Sequence, residues 1–124
     1  TFCTAPAIRN YKLNFLCEVI ATLVLVFIII SFSSKGNCCD PKHFKFGLAA
    51  LGPIPVTLLI IALGMSLGGP TGYAMNPARD LSPRIAHALC MKGDNDWAYA
   101  CVPVLGPMVG GIIAGLCGAA LLQL

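Results

Sequence analysis

Residues 64–80 read GMSLGGPTGYAMNPARD, a stretch rich in glycine and proline that directly follows a long apolar segment. The glycines from Gly64 to Gly72, together with Pro70, predict the end of a helix and an extended backbone after it, because glycine weakens a helix and proline lacks an N–H. At membrane depth, such backbone is tolerated only inside protein or along a water-filled cavity. The stretch therefore indicates an aqueous path.

Asn76 and Pro77 predict the start of a new helix within the same stretch. Asparagine is a favoured N-cap, and proline at the first helical position loses only an N–H that has no intrahelical partner. We expect this helix over about residues 77–89, and its length of about 20 Å is short of the hydrocarbon core of about 30 Å. It is therefore predicted to be a half-helix that enters the membrane and stops. Pro83 lies inside it, so either the helix kinks or the carbonyl of Arg79 finds another donor.

Three apolar segments surround this stretch, at about residues 13–32, 46–68 and 98–122. Each approaches the roughly 20 residues that a spanning helix needs. The chain has 124 residues, of which 57% are hydrophobic and 10% charged, and this composition excludes an ordinary soluble enzyme and a disordered chain. The eight Lys and Arg residues form no basic run, which argues against a nucleic-acid partner. We predict an all-α, polytopic transmembrane helix bundle in a lipid bilayer.

The third apolar segment carries small residues at helical spacing. Since lipid tails are as apolar as leucine, membrane helices associate through close packing, and small residues let their backbones approach. We expect tight helix contacts along this stripe, with flexible filler as the alternative. The stripe comprises Gly106, Gly110, Ala114 and Gly118, and beside it lie Gly111, Gly115 and Ala119.

Arg79 lies one turn inside the predicted half-helix, whose N-terminus carries about +0.5 of a charge. An arginine at the centre of a spanning helix costs about 2.5–3.5 kcal/mol, so we expect Arg79 to face water and carbonyl oxygens. Its five fixed donors suit a polar, uncharged solute, and its charge repels cations and protons. The alternative is an arginine that extends to the membrane surface.

The segment Asn76-Pro77-Ala78-Arg79-Asp80, preceded by Thr-Gly-Tyr-Ala-Met at 71–75, resembles the second signature of the major intrinsic proteins, the aquaporin and glycerol-facilitator family. The resemblance covers nearly all of the chain. It implies the C-terminal half of that fold, residues 1–124 being the second inverted repeat with its re-entrant half-helix. It also implies a missing N-terminal half, which carries the first half-helix, and a homotetramer with one pore per subunit. The chain alone is not expected to conduct.

The resemblance further implies which residues meet the solute. Asn76 and Arg79 would donate hydrogen bonds to it, and Tyr73 would pack against the carbon side of a polyol. Gly64 stands where water-selective members have a histidine, and so it would widen the passage. The backbone from Gly69 to Gly72 would offer acceptors.

Two further features resemble the glycerol branch. Asp80 follows the arginine, with Arg84 four residues on, and Pro103-Val104 replaces an aromatic pair. We therefore predict a passive channel for glycerol and other small neutral solutes, with water, in the cell membrane. Neither a cofactor nor enzymatic chemistry is expected. The alternatives are a water-selective channel and a non-conducting membrane structural protein of the same fold.

Glu18 lies inside the first apolar segment, four residues before Thr22, so the two share a helix face. An intramembrane carboxylate is either part of a proton relay or a buried acceptor that holds loop N–H groups. The resemblance favours the acceptor, because facilitators place a glutamate here beneath the re-entrant loop.

The sequence contains one candidate cluster of metal ligands. Cys38, Cys39 and His43 share one loop, but no second Cys/His pair completes a tetrahedral site, so we expect no metal there. His87, on the half-helix, is interpreted as a packing or interface residue rather than a pH-dependent gate.

Overall fold

Four helices make up the described part of the computed structural model, which comprises residues 3–32, 51–91, 93 and 95–121. Three of them are long and apolar enough to cross a membrane, and the third in chain order is shorter. No strand occurs within the described ranges, so the predicted all-α class and membrane architecture are confirmed. The helices are α1 (Tyr11–Phe32), α2 (Ile54–Thr71), α3 (Pro77–Cys90) and α4 (Cys101–Leu121).

The starts of α1 and α4 differ slightly from the prediction. α1 begins at Tyr11 rather than near residue 13, and the side chain of Asn10 accepts a hydrogen bond from the N–H of Leu13 (3.2 Å) in its first turn. α4 begins at Cys101 rather than near residue 98, because residues 97–100 form turns. Three expectations concern positions outside the described residues. They are the start of the second apolar segment at residue 46, the end of the third at residue 122, and the loop with Cys38, Cys39 and His43.

The end of α2 differs from the prediction in an informative way. The helix continues through Gly69 and Pro70 to Thr71, so the expectation that it ends near Gly68 is wrong. Near the C-terminal end, Pro70 withholds an N–H from only one carbonyl, which is a small loss. The stop is Gly72, whose φ of 77° lies in the left-handed region and whose N–H donates to the carbonyl of Gly68 (2.8 Å). The non-helical backbone is therefore Gly72–Met75, and most of the expected Gly69–Gly72 acceptor segment is helical.

The position of the short helix α3 agrees with the prediction of a helix over about residues 77–89. It begins at Pro77, and the side chain of Asn76 accepts a hydrogen bond from the N–H of Ala78 (2.9 Å), as expected of an N-cap. The helix continues through Pro83 and ends at Cys90.

The most extensive helix–helix contact among the described residues is that of α1 with α4. A Cβ atom on Gly110 would lie 2.4 Å from the carbonyl oxygen of Val19, and one on Gly106 would lie 2.7 Å from Cβ of Glu18. The predicted contact stripe is confirmed, since Gly106, Gly110, Ala114 and Gly118 are all buried. The neighbouring stripe differs, because a Cβ on Gly111 would meet nothing within 4 Å.

Residues 3–10 cross the ends of α2 and α3 without regular secondary structure. The N–H of Ala7 donates to the carbonyl of Pro70 (3.2 Å), and Nδ2 of Asn14 donates to the carbonyl of Ile8 (2.9 Å). These bonds fix the segment over the loop that joins α2 to α3.

Candidate functional site

The loop Gly72–Met75 is held in an unusual backbone conformation. Tyr73 and Met75 have φ angles of 43° and 48°, in the left-handed region that residues with a side chain rarely adopt. Met75 is buried against Ala21 and Leu63, so its side chain ties the loop to α1 and α2. The surrounding structure must therefore support this strained backbone.

Glu18 supplies that support from α1. Its side chain is 1% exposed, and its two carboxylate oxygens accept hydrogen bonds from the N–H groups of Ala74 (3.0 Å) and Met75 (2.8 Å). This geometry is that of a buried acceptor beneath the loop. The N–H groups of Ala74 and Met75 therefore point toward α1.

The carbonyl groups of the same loop differ from its N–H groups in having no partner among the described residues. None of the carbonyls of Gly72, Tyr73, Ala74 and Met75 accepts a hydrogen bond from the part of the chain that the structure describes. Asn76 adds a donor, because its Oδ1 is used in capping α3 while Nδ2 donates to no described residue. Four carbonyl acceptors at residues 72–75 are thus followed along the chain by one donor, the Nδ2 group of Asn76.

Arg79 and Tyr73 form the polar end of a groove. The guanidinium carbon of Arg79 lies 5.1 Å from the centre of the Tyr73 ring, which is cation–π distance. No described residue accepts a hydrogen bond from the guanidinium, so all five of its donors are free within the described chain. The groove has a volume of about 240 Å³ and is lined by Leu25, Ile60, Tyr73, Ala74, Met75, Asn76 and Arg79.

Two glycines of α2 provide room for the Tyr73 ring. A Cβ on Gly68 would lie 2.6 Å from Cδ1 of Tyr73, which is too close for any side chain. A Cβ on Gly64 would lie 3.7 Å from Cε2 of the same ring, in ordinary contact. Gly64 therefore lies beneath the aromatic ring.

Asp80, by contrast, lies in a buried ion-pair network that leads away from the groove. It is fully buried and pairs with Arg84, whose Nε and Nη2 each donate to the carboxylate at 2.8 Å. The N–H of Thr4 (2.7 Å) and its hydroxyl also donate to Asp80. The pair thereby connects α3 to the segment of residues 3–10.

Arg84 uses every donor it has. Besides Asp80, its guanidinium donates to the backbone carbonyls of Thr4 (3.0 Å), Asn95 (2.7 Å) and Asp96 (2.9 Å). Arg79 and Arg84 lie on the same helix, yet the first keeps its donors free and the second has none to spare. Sequence reasoning identified Arg84 only through the family resemblance, and its i, i+4 spacing from Asp80 was the available signal.

The predicted site residues thus divide into groups. Tyr73, Asn76 and Arg79 line one groove, and Pro77 and Ala78 form the start of α3 behind it. Gly64 lies beneath the ring, Gly72 caps α2, and Asp80 and Glu18 act on the surrounding backbone. Sequence reasoning missed the apolar wall formed by Leu25 and Ile60, because nothing in their local sequence distinguishes them from lipid-facing residues.

No three His, Cys, Asp or Glu side chains converge as possible metal ligands within the described ranges. The loop with Cys38, Cys39 and His43 lies outside them.

Comparison with known proteins gives a consistent result. The family model described as Major intrinsic protein matches residues 1–117. The chain is 53% identical over 118 residues to Glycerol uptake facilitator protein 3 of Lactiplantibacillus plantarum, covering 93% of this chain and 45% of that protein. It is 48% identical over 118 residues to the Glycerol uptake facilitator protein of Bacillus subtilis (93% of this chain, 39% of that protein). It is 44% identical over 115 residues to the Probable glycerol uptake facilitator protein of Thermotoga maritima (90% and 45%).

The chain therefore spans less than half the length of these curated relatives.

Proposed function

This chain belongs to the major intrinsic proteins, and from that membership we propose that it is the C-terminal half of a passive channel for glycerol and other small neutral solutes, with water. The observation that carries the proposal is the groove in which the unpaired guanidinium of Arg79 lies over the ring of Tyr73. The glycerol facilitators among its relatives support the choice of solute.

The groove presents both polar groups and apolar surface, which match the hydroxyl side and the carbon side of a polyol. Arg79 and Nδ2 of Asn76 are free donors for hydroxyl oxygens, and the unpaired carbonyls of residues 72–75 accept hydroxyl hydrogens. Leu25, Ile60 and the Tyr73 ring present apolar surface to the carbon side. A solute with both kinds of edge exchanges its water shell for contacts with these groups.

The same residues oppose the passage of cations. Arg79 carries a full positive charge, and the N-terminus of α3 adds about half of one beside it. Fixed positive charge at a constriction raises the barrier for protons and metal cations but not for neutral solutes. We propose permeation by diffusion, without cofactor and without enzymatic chemistry.

We propose that the whole protein contains more than this chain. The groove is partly open, and we propose that a preceding N-terminal half with its own half-helix supplies the opposite wall. We further propose a homotetramer with one pore per subunit, as the family resemblance implies.

Stopped-flow light scattering on vesicles that contain the full-length protein tests the proposal. A glycerol gradient is expected to produce fast re-swelling, whereas a sucrose gradient produces only shrinkage. Arg79→Lys keeps the charge but loses the planar fork of donors, so we expect it to lower glycerol permeability. Arg9→Ala is the matched control, because this exposed arginine pairs with Asp96 outside the groove.

Two results contradict the proposal. Water flux without glycerol flux makes the protein a water-selective channel. The absence of both fluxes leaves a membrane structural protein.

A further inference from the structure

The C-terminal end of α3 brings three side chains that can bind metals to one groove, on a different part of the chain from the groove of Tyr73, Asn76 and Arg79. This second groove has a volume of about 360 Å³ and is lined by Pro83, Ala86, His87, Cys90 and Met91. We propose that His87, Cys90 and Met91 bind a single Cu(I) ion there. The proposal does not depend on the proposed solute.

Helix geometry brings two of the three ligands to one face. Residues at i and i+3 of a helix have Cβ atoms about 5–6 Å apart, and His87 and Cys90 have this spacing on α3. Met91 is the C-cap residue with extended backbone, and it still lines the same groove. Cys90 is a free, exposed thiol and Met91 is 59% exposed, so an ion can enter from outside.

The imidazole of His87 is oriented by a second residue. Its Nδ1 contacts Oδ1 of Asn95, and because an amide oxygen only accepts hydrogen bonds, this contact favours the tautomer with the proton on Nδ1 and the lone pair on Nε2. Metal-binding histidines are commonly held this way, with the other ring nitrogen bonded to an oxygen. Asn95 is itself fixed, because its carbonyl accepts a hydrogen bond from the buried Arg84 (2.7 Å).

The three ligand types, imidazole, thiolate and thioether, favour Cu(I) over Zn²⁺. A thiolate and a thioether are soft ligands that favour Cu(I), and imidazole is compatible with it. Zn²⁺ in structural sites takes four ligands from Cys, His and carboxylates, and the lining of this groove offers two of that kind. The C-terminus of α3 also carries partial negative charge, which favours a cation. Binding releases one proton, from the thiol of Cys90.

Anaerobic titration of the purified full-length protein with Cu(I), in competition with bicinchoninate, tests the proposal. Cys38 and Cys39 are replaced by serine in every sample, so that these adjacent thiols do not bind the probe. We expect one ion per chain. Cys90→Ser, Met91→Leu and His87→Ala should each lower the affinity by more than the roughly 10–100-fold that loss of an outer partner costs.

Cys101→Ser is the matched control, because Cys101 is also a free, exposed cysteine but lies on α4 away from this groove. It is expected to keep the affinity of the parent protein. X-ray absorption at the copper edge should show nitrogen and sulfur neighbours together, and the nitrogen contribution should disappear in His87→Ala. Equal losses in Cys90→Ser and Cys101→Ser overturn the proposal. Unchanged affinity in both His87→Ala and Met91→Leu also overturns it, since a single thiol then accounts for the binding.

Discussion

At the scale of single residues, the two arginines of α3 show how environment determines role. Arg79 is exposed to the groove and donates to none of the described residues, whereas Arg84 is 1% exposed with all of its donors used. A guanidinium can serve a passing solute only if the protein leaves its donors unpaired. Their positions in the sequence do not show this difference, because both are arginines on one helix.

We expect Arg84→Ala to destabilise the protein much more than Arg79→Ala. Removing Arg84 leaves Asp80 buried and without its counter-ion, which typically costs about 3–5 kcal/mol. Arg79 has no hydrogen-bond partner within the described residues, so its loss leaves no buried group unsatisfied. Thermal unfolding in detergent measures the difference, with Arg9→Ala as a surface control. Equal melting temperatures for the Arg84→Ala and Arg79→Ala variants would contradict the assigned roles.

Gly64 allows a sharp test of the proposed solute filter, which Tyr73 and Arg79 form beside it. A Cβ at Gly64 would already contact the Tyr73 ring at 3.7 Å, so we expect the larger imidazole in Gly64→His to take up space beside this ring. We expect glycerol permeability to fall by more than about tenfold, equivalent to about 1.4 kcal/mol of barrier, while water permeability is retained. Gly64→Ala is the matched control, since its methyl group fits in ordinary contact. Undiminished glycerol flux in the histidine variant shows that Gly64 lies outside the filter.

At the scale of helices and loops, Glu18 illustrates what a buried carboxylate can do without moving protons. Both of its oxygens are engaged by N–H groups of the loop. This contact joins the middle of α1 to the strained backbone before Asn76. The loop therefore depends on a residue more than fifty positions away in sequence.

We expect Glu18→Gln to weaken the loop without creating a proton leak. The amide NH₂ cannot accept from a backbone N–H, so one buried donor is left unpaired at a cost of about 1–3 kcal/mol. Thermal unfolding should show the loss of stability. Proton flux, measured with a pH-sensitive dye in vesicles, should equal that of the parent protein. A variant that folds normally and leaks protons would support the alternative role in proton transfer.

The contact between α1 and α4 provides a second test at this scale. Gly110→Ala places a methyl group 2.4 Å from the backbone oxygen of Val19, so the helices must separate. We expect a clear drop in melting temperature. Gly111→Ala, one residue further along α4, meets nothing within 4 Å and should leave the melting temperature unchanged. A similar effect of both substitutions would indicate that helix propensity, rather than packing, controls stability.

At the scale of the whole molecule, the described helices form a structure with one strongly packed pair. α1 and α4 are joined along a stripe of small residues, while α2 contacts α1 less extensively. The groove of Tyr73, Asn76 and Arg79 lies beside the α1–α2 contact, with Leu25 and Ile60 on its walls. A partly open groove agrees with the proposal that a second repeat supplies the opposite wall.

We expect residues 1–124, expressed alone, to give no glycerol flux above that of protein-free vesicles. The free donors and acceptors of the groove have no opposite wall to exclude lipid and bulk water. Light scattering under a glycerol gradient measures this, and the full-length protein is the positive control. Rapid re-swelling with the fragment alone would contradict the proposed two-part pore.

Features that depend on local chemistry can be predicted from the sequence. Asn76-Pro77 predicted the start of α3 within one residue, because N-capping involves only neighbouring backbone, and apolar length predicted the three spans. The tertiary structure decided the rest. The helix α2 ends at Gly72 rather than Gly68, since left-handed capping depends on the actual backbone conformation. At Gly68, a side chain would clash with the Tyr73 ring, which is a contact made only in the folded protein. Likewise, which arginine keeps its donors free depended on Asp80, Thr4 and Asn95, which meet Arg84 only after folding.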